Sequence, residues 1–510
     1  MSAAAAGVDP HEVKHRGLIT VSIMLATIMQ VLDTTIANVA LPHMQGSLSA
    51  AQDTITWVLT SYIVAAAIAT PITGWFSSYF GLKRLFLICV AGFTVTSMMC
   101  GLATSLEQMV LYRVLQGLFG AALVPLSQTT LLNINPKEKH GQAMALWGAG
   151  IMVGPIAGPT LGGWLTETFD WRWVFFVNLP VGILAFLGIL AFMPQAGVNR
   201  RRFDFFGFAM LSLGLGALQM MLDRGEQKDW FGSPEIWIEA CLAVTGFWVF
   251  LVHTLTARNS FIDARIFKDR NFATGLVFIF VVGIVLLATT ALLPPMLQSI
   301  YGYPVVTTGL VLAPRGIGTM ISMILVGRLM GKIDPRTMVA LGIILTAWSL
   351  WDMTGFTPQM DYWPLITSGV IQGLGLGMVF VPLSTVAFST LPVQYRTDAT
   401  ALFSLVRNVG SAVGISIVAT LLSQNTQINH AELVQHITPF TEGLSQQVMA
   451  GDPAALSQLN QQVTIQASLI AYINDFLFMM WVTLAALPLI FLLRYRKAPQ
   501  AAGPAAAALE

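Results

Sequence analysis

The chain has 510 residues, 55% of them hydrophobic, with 26 basic and 25 acidic side chains and a formal net charge of +1. A soluble domain carries about 25% charged residues, and a chain at 10% cannot cover a water-facing surface, so the composition specifies an all-α polytopic membrane protein. Its longest basic block is Arg200, Arg201 and Arg202, too little for a nucleic-acid partner, whose phosphates need clustered Lys and Arg.

A spanning helix needs about 20 mostly apolar residues. After a tail over 1–16, fourteen such segments follow, at roughly 17–41, 54–76, 85–104, 107–131, 142–165, 172–193, 204–222, 236–256, 273–296, 306–327, 337–356, 362–390, 399–422 and 468–493. The first is too long for a signal-peptide core and is expected to stay as a helix. With the N-terminus cytoplasmic, 20 of the 26 basic residues fall in inside segments and three in outside loops, while Arg113, Arg315 and Arg407 lie within spans. That asymmetry fits fourteen spans with both termini inside. Cys89, Cys100 and Cys241 sit in apolar stretches without C-x-x-C spacing, so they are expected in the core, with neither a disulfide framework nor a metal site.

The first span contains Asp33. An ionised acid deep in a helix costs about 2.5–3.5 kcal/mol on insertion scales, and two readings stand: a proton carrier, or an acid that hydrogen-bonds a neighbouring helix. Gln30 and Asn38 share its helix. In the fourth span Arg113 precedes Gln116. An Arg keeps its proton, so it serves as a fixed charge near a carboxylate, or it snorkels to an interface. The fifth span carries Gly154, Pro155, Gly158, Pro159, Gly162 and Gly163. Glycines four apart allow close helix approach and prolines bend the helix, which suits either a gate hinge or a static packing seam. In the second half Arg315, Gln372, Arg407 and Asn408 line the cavity or reach an interface. Asp352 and Asp475 near span ends are further acids within its reach. The segment 423–466 contains no Lys or Arg, belongs outside, and is expected as a polar loop with short amphipathic helices. The residues from 495 to 510 are Pro- and Ala-rich and expected to be disordered.

A shift of 256 residues superposes Gln116-Gly117 on Gln372-Gly373, and Val153-Gly154 and Gly158 on Val409-Gly410 and Gly414. Each Gln-Gly is followed by Val-Pro-Leu-Ser, at Val124–Ser127 and Val381–Ser384. Two parallel six-span bundles are therefore expected, at 17–195 and 273–494, with a linker over 196–272 that adds spans 7 and 8. Three apparent motifs carry nothing. His11-Glu12-Val13-Lys14-His15 matches a zinc-protease pattern but stands in a short tail, no phosphate loop exists for an ATP-driven pump, and Gly373-Leu374-Gly375-Leu376-Gly377 lies inside an apolar helix.

These residues resemble the major facilitator superfamily, specifically its fourteen-span drug/proton antiporters of the EmrB and QacA type. Asp33–Pro42 is similar to the family's first-span motif, Arg113–Gly117 to its span-4 motif, and Gly154–Gly163 to the antiporter signature, with Ala145 where the long pattern has a glycine. The segment with Gly74, Gly81, Lys83 and Arg84 resembles the gating motif after span 2, but Ser78 replaces its usual acid and leaves the charge-relay latch in doubt. Trp171–Pro180 and Leu218–Gly225 resemble the EmrB type most. The resemblance implies proton coupling through Asp33 and Arg113, no cofactor beyond the proton motive force, a bacterial inner (cytoplasmic) membrane, a periplasmic adaptor protein and an outer-membrane channel. The expected function is proton-driven export of amphipathic drugs by alternating access, with a lean to neutral or weakly acidic compounds, because one clear acid and three arginines lie deep in the spans. The alternatives are a transporter for a specific metabolite and a non-transport membrane scaffold.

Overall fold

The computed structural model describes residues 13–51, 54–195, 197–198, 202–257, 260, 262–438, 448 and 452–493. His11 and Glu12, Arg200 and Arg201, the middle of the 423–466 segment and the tail from 494 onward lie outside the described residues. No β-strand occurs among the described residues. The first half contains α1 (Arg16–Ser47), α2 (Trp57–Ala69), α3 (Thr73–Phe80), α4 (Leu82–Gly101), α5 (Leu106–Gly120), α6 (Leu123–Ile134), α7 (His140–Ile151), α8 (Val153–Thr168), α9 (Trp173–Phe176) and α10 (Asn178–Phe192). Between the halves stand α11 (Phe205–Arg224) and α12 (Pro234–Thr256). The second half contains α13 (Arg270–Ser299), α14 (Val305–Leu329), α15 (Pro335–Met353), α16 (Tyr362–Ser389), α17 (Arg396–Gln435) and α18 (Pro453–Ala485).

Among the described residues twelve helices are long and apolar enough to cross a membrane, or thirteen when the bent pair α2–α3 counts as one span. The fourteenth expected segment is α15, whose 19 residues include Arg336 and Asp352 near its ends and fall outside that set. Proline sets the breaks. Pro71 lies in the 59° bend between α2 and α3, and Pro125 and Pro155 each stand third in α6 and α8. Lacking an N–H, each leaves the carbonyl four residues earlier without its helical donor, and the preceding helix ends there.

The same helix pairs recur in both halves. α1 packs on α8, α2 on α5, and α4 on α5 and α10; α13 packs on α17, α14 on α16, and α15 on α16 and α18. The 256-residue repeat also survives at atomic level, since Gln116 Nε2 donates to Asp33 Oδ1 at 2.9 Å while Gln372 Nε2 donates to Thr289 Oγ1 at 3.4 Å. α14 lies along α7 and α8 of the other half. At one end the halves are also tied by polar contacts: Arg396 Nη1 donates to the Leu132 carbonyl at 2.9 Å and to Asn133 Oδ1 at 3.0 Å, and the Thr129 and Thr400 hydroxyls meet at 2.8 Å. The inserted α11 packs on both α2 and α17; Thr60 donates to Asp223 on one side, and Ser416 Oγ to the Leu222 carbonyl at 3.0 Å on the other.

Two expectations are corrected. The expected loop 423–466 is largely helix, because α17 runs to Gln435 and α18 starts at Pro453. At 1.5 Å per residue the 40 residues of α17 reach about 60 Å, twice the hydrocarbon core. The two helices are held together by Asn429 Nδ2 donating to the Ala467 carbonyl at 3.3 Å and by His430 and Asn460 at 3.0 Å. Polarity here reflects a hairpin that leaves the apolar layer, not irregular chain. Cys241 is exposed on α12, unlike buried Cys89 and Cys100, because an outer helix of a membrane protein turns apolar residues to lipid.

The glycines of α8 fit against α1. A Cβ at Gly158 would come within 2.8 Å of Thr35 Cβ, and one at Gly154 within 2.6 Å of Val31 Cγ1, whereas one at Gly163 meets nothing closer than Val306 Cγ2 at 3.6 Å. Gly158→Val should therefore cost about 1–3 kcal/mol by overpacking, while Gly163→Ala should melt at or above the wild-type temperature, as ordinary helical Gly→Ala changes do. Thermal unfolding of the purified protein in detergent checks both, and equal melting temperatures for Gly158→Val and wild type would refute the seam.

Candidate functional site

Asp33 sits in the middle of α1 and is 1% exposed. A carboxylate at that depth is tolerable only if its lone pairs are filled, and three side chains from two other helices do this. Arg113 Nη1 donates to Oδ2 at 2.7 Å, and Gln116 Nε2 and Asn178 Nδ2 donate to Oδ1 at 2.9 and 2.8 Å. Arg113 and Gln116 lie three residues apart on one face of α5, a helix that starts where Ser105 Oγ accepts the Gln108 N–H. Asn178 opens α10.

The donors are themselves held. Arg113 is 1% exposed; its Nε donates to the Val58 carbonyl at 3.0 Å, Nη1 also donates to Gln116 Oε1 at 2.8 Å, and its guanidinium lies 4.3 Å from the centre of the Tyr62 ring. Asn178 Nδ2 donates its second proton to Ser97 Oγ at 2.9 Å, and Ser97 donates onward to the Phe175 carbonyl at 2.9 Å. Gln30 Nε2 reaches the Tyr62 hydroxyl at 3.2 Å. Arg113 is thus a buried fixed charge and not an interfacial snorkelling residue, and Asp33 does bond neighbouring helices. A buried acid that holds α1, α5 and α10 through one carboxylate couples its own charge to how those helices pack.

The other expected residues are placed as follows. Asn38 is exposed and donates to the Thr34 carbonyl at 3.2 Å; Asn408 is exposed and Arg407 half-buried. Arg315 lies inside the second half, where its Nη1 donates to Thr290 Oγ1 at 3.2 Å. Gln372 is fully buried against Thr289. Of the expected cavity residues, the structure gathers Gln30, Asp33 and Gln116, and leaves the others apart. Tyr62, Ser97 and Asn178 belong to the same network and were not expected there. Asn178, an amide in an otherwise apolar run, was the available signal. The count of one deep acid is also corrected, since Asp475 is 0% and Glu239 8% exposed; Glu239 accepts from Arg224 Nη1 at 3.3 Å. A cavity of about 440 Å³ lined by Trp57, Leu106 and Val114 lies between α2 and α5, apart from the acid.

The gating-motif residues converge on the end where the halves are tied. A Cβ at Gly74 would overlap the Asp398 carboxylate on α17, so this glycine is required by the approach of the other half. Gly81 ends α3 with φ of +86°, a conformation that L side chains avoid. Ser78, in the position of the family's usual acid, turns its hydroxyl to its own Trp75 carbonyl at 2.8 Å. Lys83 is half-buried and Arg84 exposed. Of the antiporter-signature residues, Gly154, Gly158 and Gly162 face Val31, Thr35 and Ile36 of α1, and Pro159 faces Gly309 of α14. Thr35 Oγ1 also donates to the Gly154 carbonyl at 3.2 Å.

This pairing of two repeated bundles agrees with a known family. Residues 23–415 match the Major Facilitator Superfamily model. The chain belongs to the major facilitator superfamily. It is 37% identical over 450 residues, covering 88% of both chains, to the multidrug export protein EmrB of Escherichia coli K12. It is 36% identical over 483 residues, covering 93% of this chain and 95% of the relative, to the fatty acid resistance protein FarB of Neisseria gonorrhoeae. The fold matches that of the superfamily's proton:xylose symporter XylE, with a TM-score of 0.60 at 14% identity over 94% of this chain and 99% of that one. As in other members of the superfamily, the chain is an integral membrane protein.

If the ion pair is what allows Asp33 to be buried, removing one partner is worse than removing both. Arg113→Met should destabilise by about 3–5 kcal/mol, and Asp33→Leu combined with Arg113→Met should recover most of that loss. Melting temperatures of the single and double variants decide it; a double variant no more stable than Arg113→Met contradicts the pairing.

Proposed function

We propose that this protein is a proton-coupled multidrug efflux transporter that exports amphipathic compounds by alternating access, as the inner-membrane component of a tripartite pump. The observation that carries the proton coupling is the buried Asp33–Arg113 pair, 2.7 Å long and 1% exposed on both sides. Arg113 cannot lose its proton, so the exchangeable proton of the pair belongs to Asp33. When Asp33 takes a proton the pair is neutralised on one side, Arg113 keeps the Val58 and Gln116 acceptors, and α1 is released from its strongest tie to α5. The glycine face of α8 lies on the same stretch of α1, so a shift of α1 is felt at the seam that joins α8 to α14.

The direction follows from the tied end. Basic residues from Lys83 to Arg396 lie in the segments around Gly74, Asn133, Met330 and Arg396, where Gly74 approaches Asp398 and Arg396 bonds Asn133; by the positive-inside rule we read this end, and with it both termini, as cytoplasmic, and the tie between the halves there as closure toward the cytoplasm. A proton arriving from outside and leaving inside then drives the change that opens this end to drug. One charge moving down 100 mV supplies about 2.3 kcal/mol, which suffices for accumulation ratios of a few tens.

The relatives named for multidrug export and fatty acid resistance support amphipathic substrates, neutral or weakly acidic. The hairpin of α17 and α18 exposes Ile428, Val434 and Leu456 beyond the membrane and offers the surface for a periplasmic adaptor, which in turn meets an outer-membrane channel. In everted vesicles from an efflux-deficient Gram-negative host, addition of an exported amphipathic drug that has no acidic proton of its own should release protons through the wild type and not through Asp33→Asn, and a resistance panel of weak-acid uncouplers and lipophilic cations tests the substrate class. Undiminished pH coupling in Asp33→Asn defeats the carrier assignment, and resistance confined to lipophilic cations defeats the substrate class.

A further inference from the structure

Asp475 is the second acid buried without exposure in the membrane-spanning part of the chain, and its surroundings are opposite to those of Asp33. It is 0% exposed, and neither carboxylate oxygen has a hydrogen-bond partner among the described residues. Helical spacing puts it on the face of α18 shared with Tyr472 three residues before and Met479 four residues after. Met479 Sδ accepts from Thr289 Oγ1 of α13 at 3.7 Å, and Tyr472 packs in one cluster with Leu293, Met296 and Leu297 toward the end of the same α13. Asp475 therefore lies along α13 between Thr289 and Ser299, beside the apolar cluster that includes Leu293, Met296, Leu350 and Phe476.

Among the described residues no cation bonds this carboxyl: Arg315 of α14 reaches α13 beside Thr289, but its Nη1 goes to Thr290 Oγ1 at 3.2 Å, and neither oxygen of Asp475 has a hydrogen-bond partner. α13 offers Thr289 and Ser299 and has no titratable residue between Asn271 and Ser299; α17 has none between Arg407 and His430. α15 carries Asp352, which is exposed and accepts from Ser368, and at its other end Arg336, which donates to the Leu493 carbonyl. On α18 itself the titratable neighbour is Tyr472, and the phenol of Tyr301, in the loop beyond α13, is engaged by the Thr357 carbonyl. A bare carboxylate is costly in such a place, which favours the protonated form. Tyr472 adjoins Asp475 on the helix, and Ser299, the last residue of α13, is exposed.

The site also has a place in the repeat. α18 takes toward α15 the position that α10 takes toward α4. In the first half the acid is on the first helix and the amide Asn178 answers from the sixth; in the second half the first-helix position is Thr289 and the acid is on the last helix.

We propose that Asp475 is a second proton-binding site of the transporter, loaded from the end of α13 by way of Ser299 and Tyr472. A proton from bulk water adds to one carboxyl oxygen and leaves by reversal of the same step, with no other bond changed. Its participation in transport rests on the proton-coupled reading of the preceding section; the binding of the proton does not. Infrared difference titration of the purified, lipid-reconstituted protein tests it with the proton alone as ligand. The wild type should show a protonated carboxyl C=O band that is lost as pH is raised, Asp475→Asn should lack it, Asp475→Glu should retain a titrating band, and Asp33→Asn should leave it in place. A band that survives in Asp475→Asn, or one that does not respond to pH, overturns the proposal. In everted vesicles Asp475→Asn should change the pH dependence of proton release driven by a non-acidic amphipathic drug while Asp475→Glu restores it; an unchanged profile in Asp475→Asn means that Asp475 takes no part in transport and overturns that part. A failure of Asp33→Asn to lose coupling would strike the Asp33 assignment and leave the infrared result standing.

Discussion

One buried ion pair organises the first half of this molecule. Asp33 and Arg113 come from helices that are 80 residues apart in sequence, and each is affordable in an apolar layer only because the other is there. Satisfying the carboxylate takes Gln116 and Asn178 as well, and satisfying those takes Ser97, Val58 and the face of Tyr62. The positions of α1, α2, α4, α5 and α10 therefore follow from one electrostatic requirement. Apolar packing alone could not fix them so closely, since lipid competes equally well for an apolar helix face.

The seam on the other side of α1 works by the opposite means. Gly154, Gly158 and Gly162 let α8 approach α1 without polar bonds beyond Thr35 to the Gly154 carbonyl, and Pro155 breaks the span just before that face begins. α1 is thus clamped by directional hydrogen bonds toward α5 and α10 and rests on a smooth surface toward α8. α8 in turn packs on α14 and so joins this smooth side of α1 to the other half.

Much of this was legible in the sequence. Deep acids and arginines are rare enough in a chain with 10% charge that Asp33 and Arg113 stand out at once, and the repeat at 256 residues foretold that Gln116 and Gln372 would face equivalent positions. What the sequence left open is partnership. Asn178 and Ser97 are uncharged residues in apolar runs, and nothing in their spacing says that they meet a carboxylate 145 residues away in one case. In the segment 423–466 the helices are the ends of two long spans and not separate short ones, because a helix that leaves the membrane becomes polar without ceasing to be a helix. Cys241 shows the converse, since on an outer helix apolar surroundings mean lipid and not protein core.

The two halves share their helix pairings and differ in their chemistry. Asp33 and Thr289 occupy the same position of the repeat, and each is met by the corresponding glutamine, but only the first half adds an arginine at that glutamine's side. In the second half Arg315 sits on the second helix of the bundle and bonds Thr290, and Asp475 sits on the last with no hydrogen-bond donor among the described residues. A scaffold of two similar bundles can carry that asymmetry because the side chains at equivalent positions, and not the backbone, set the electrostatics.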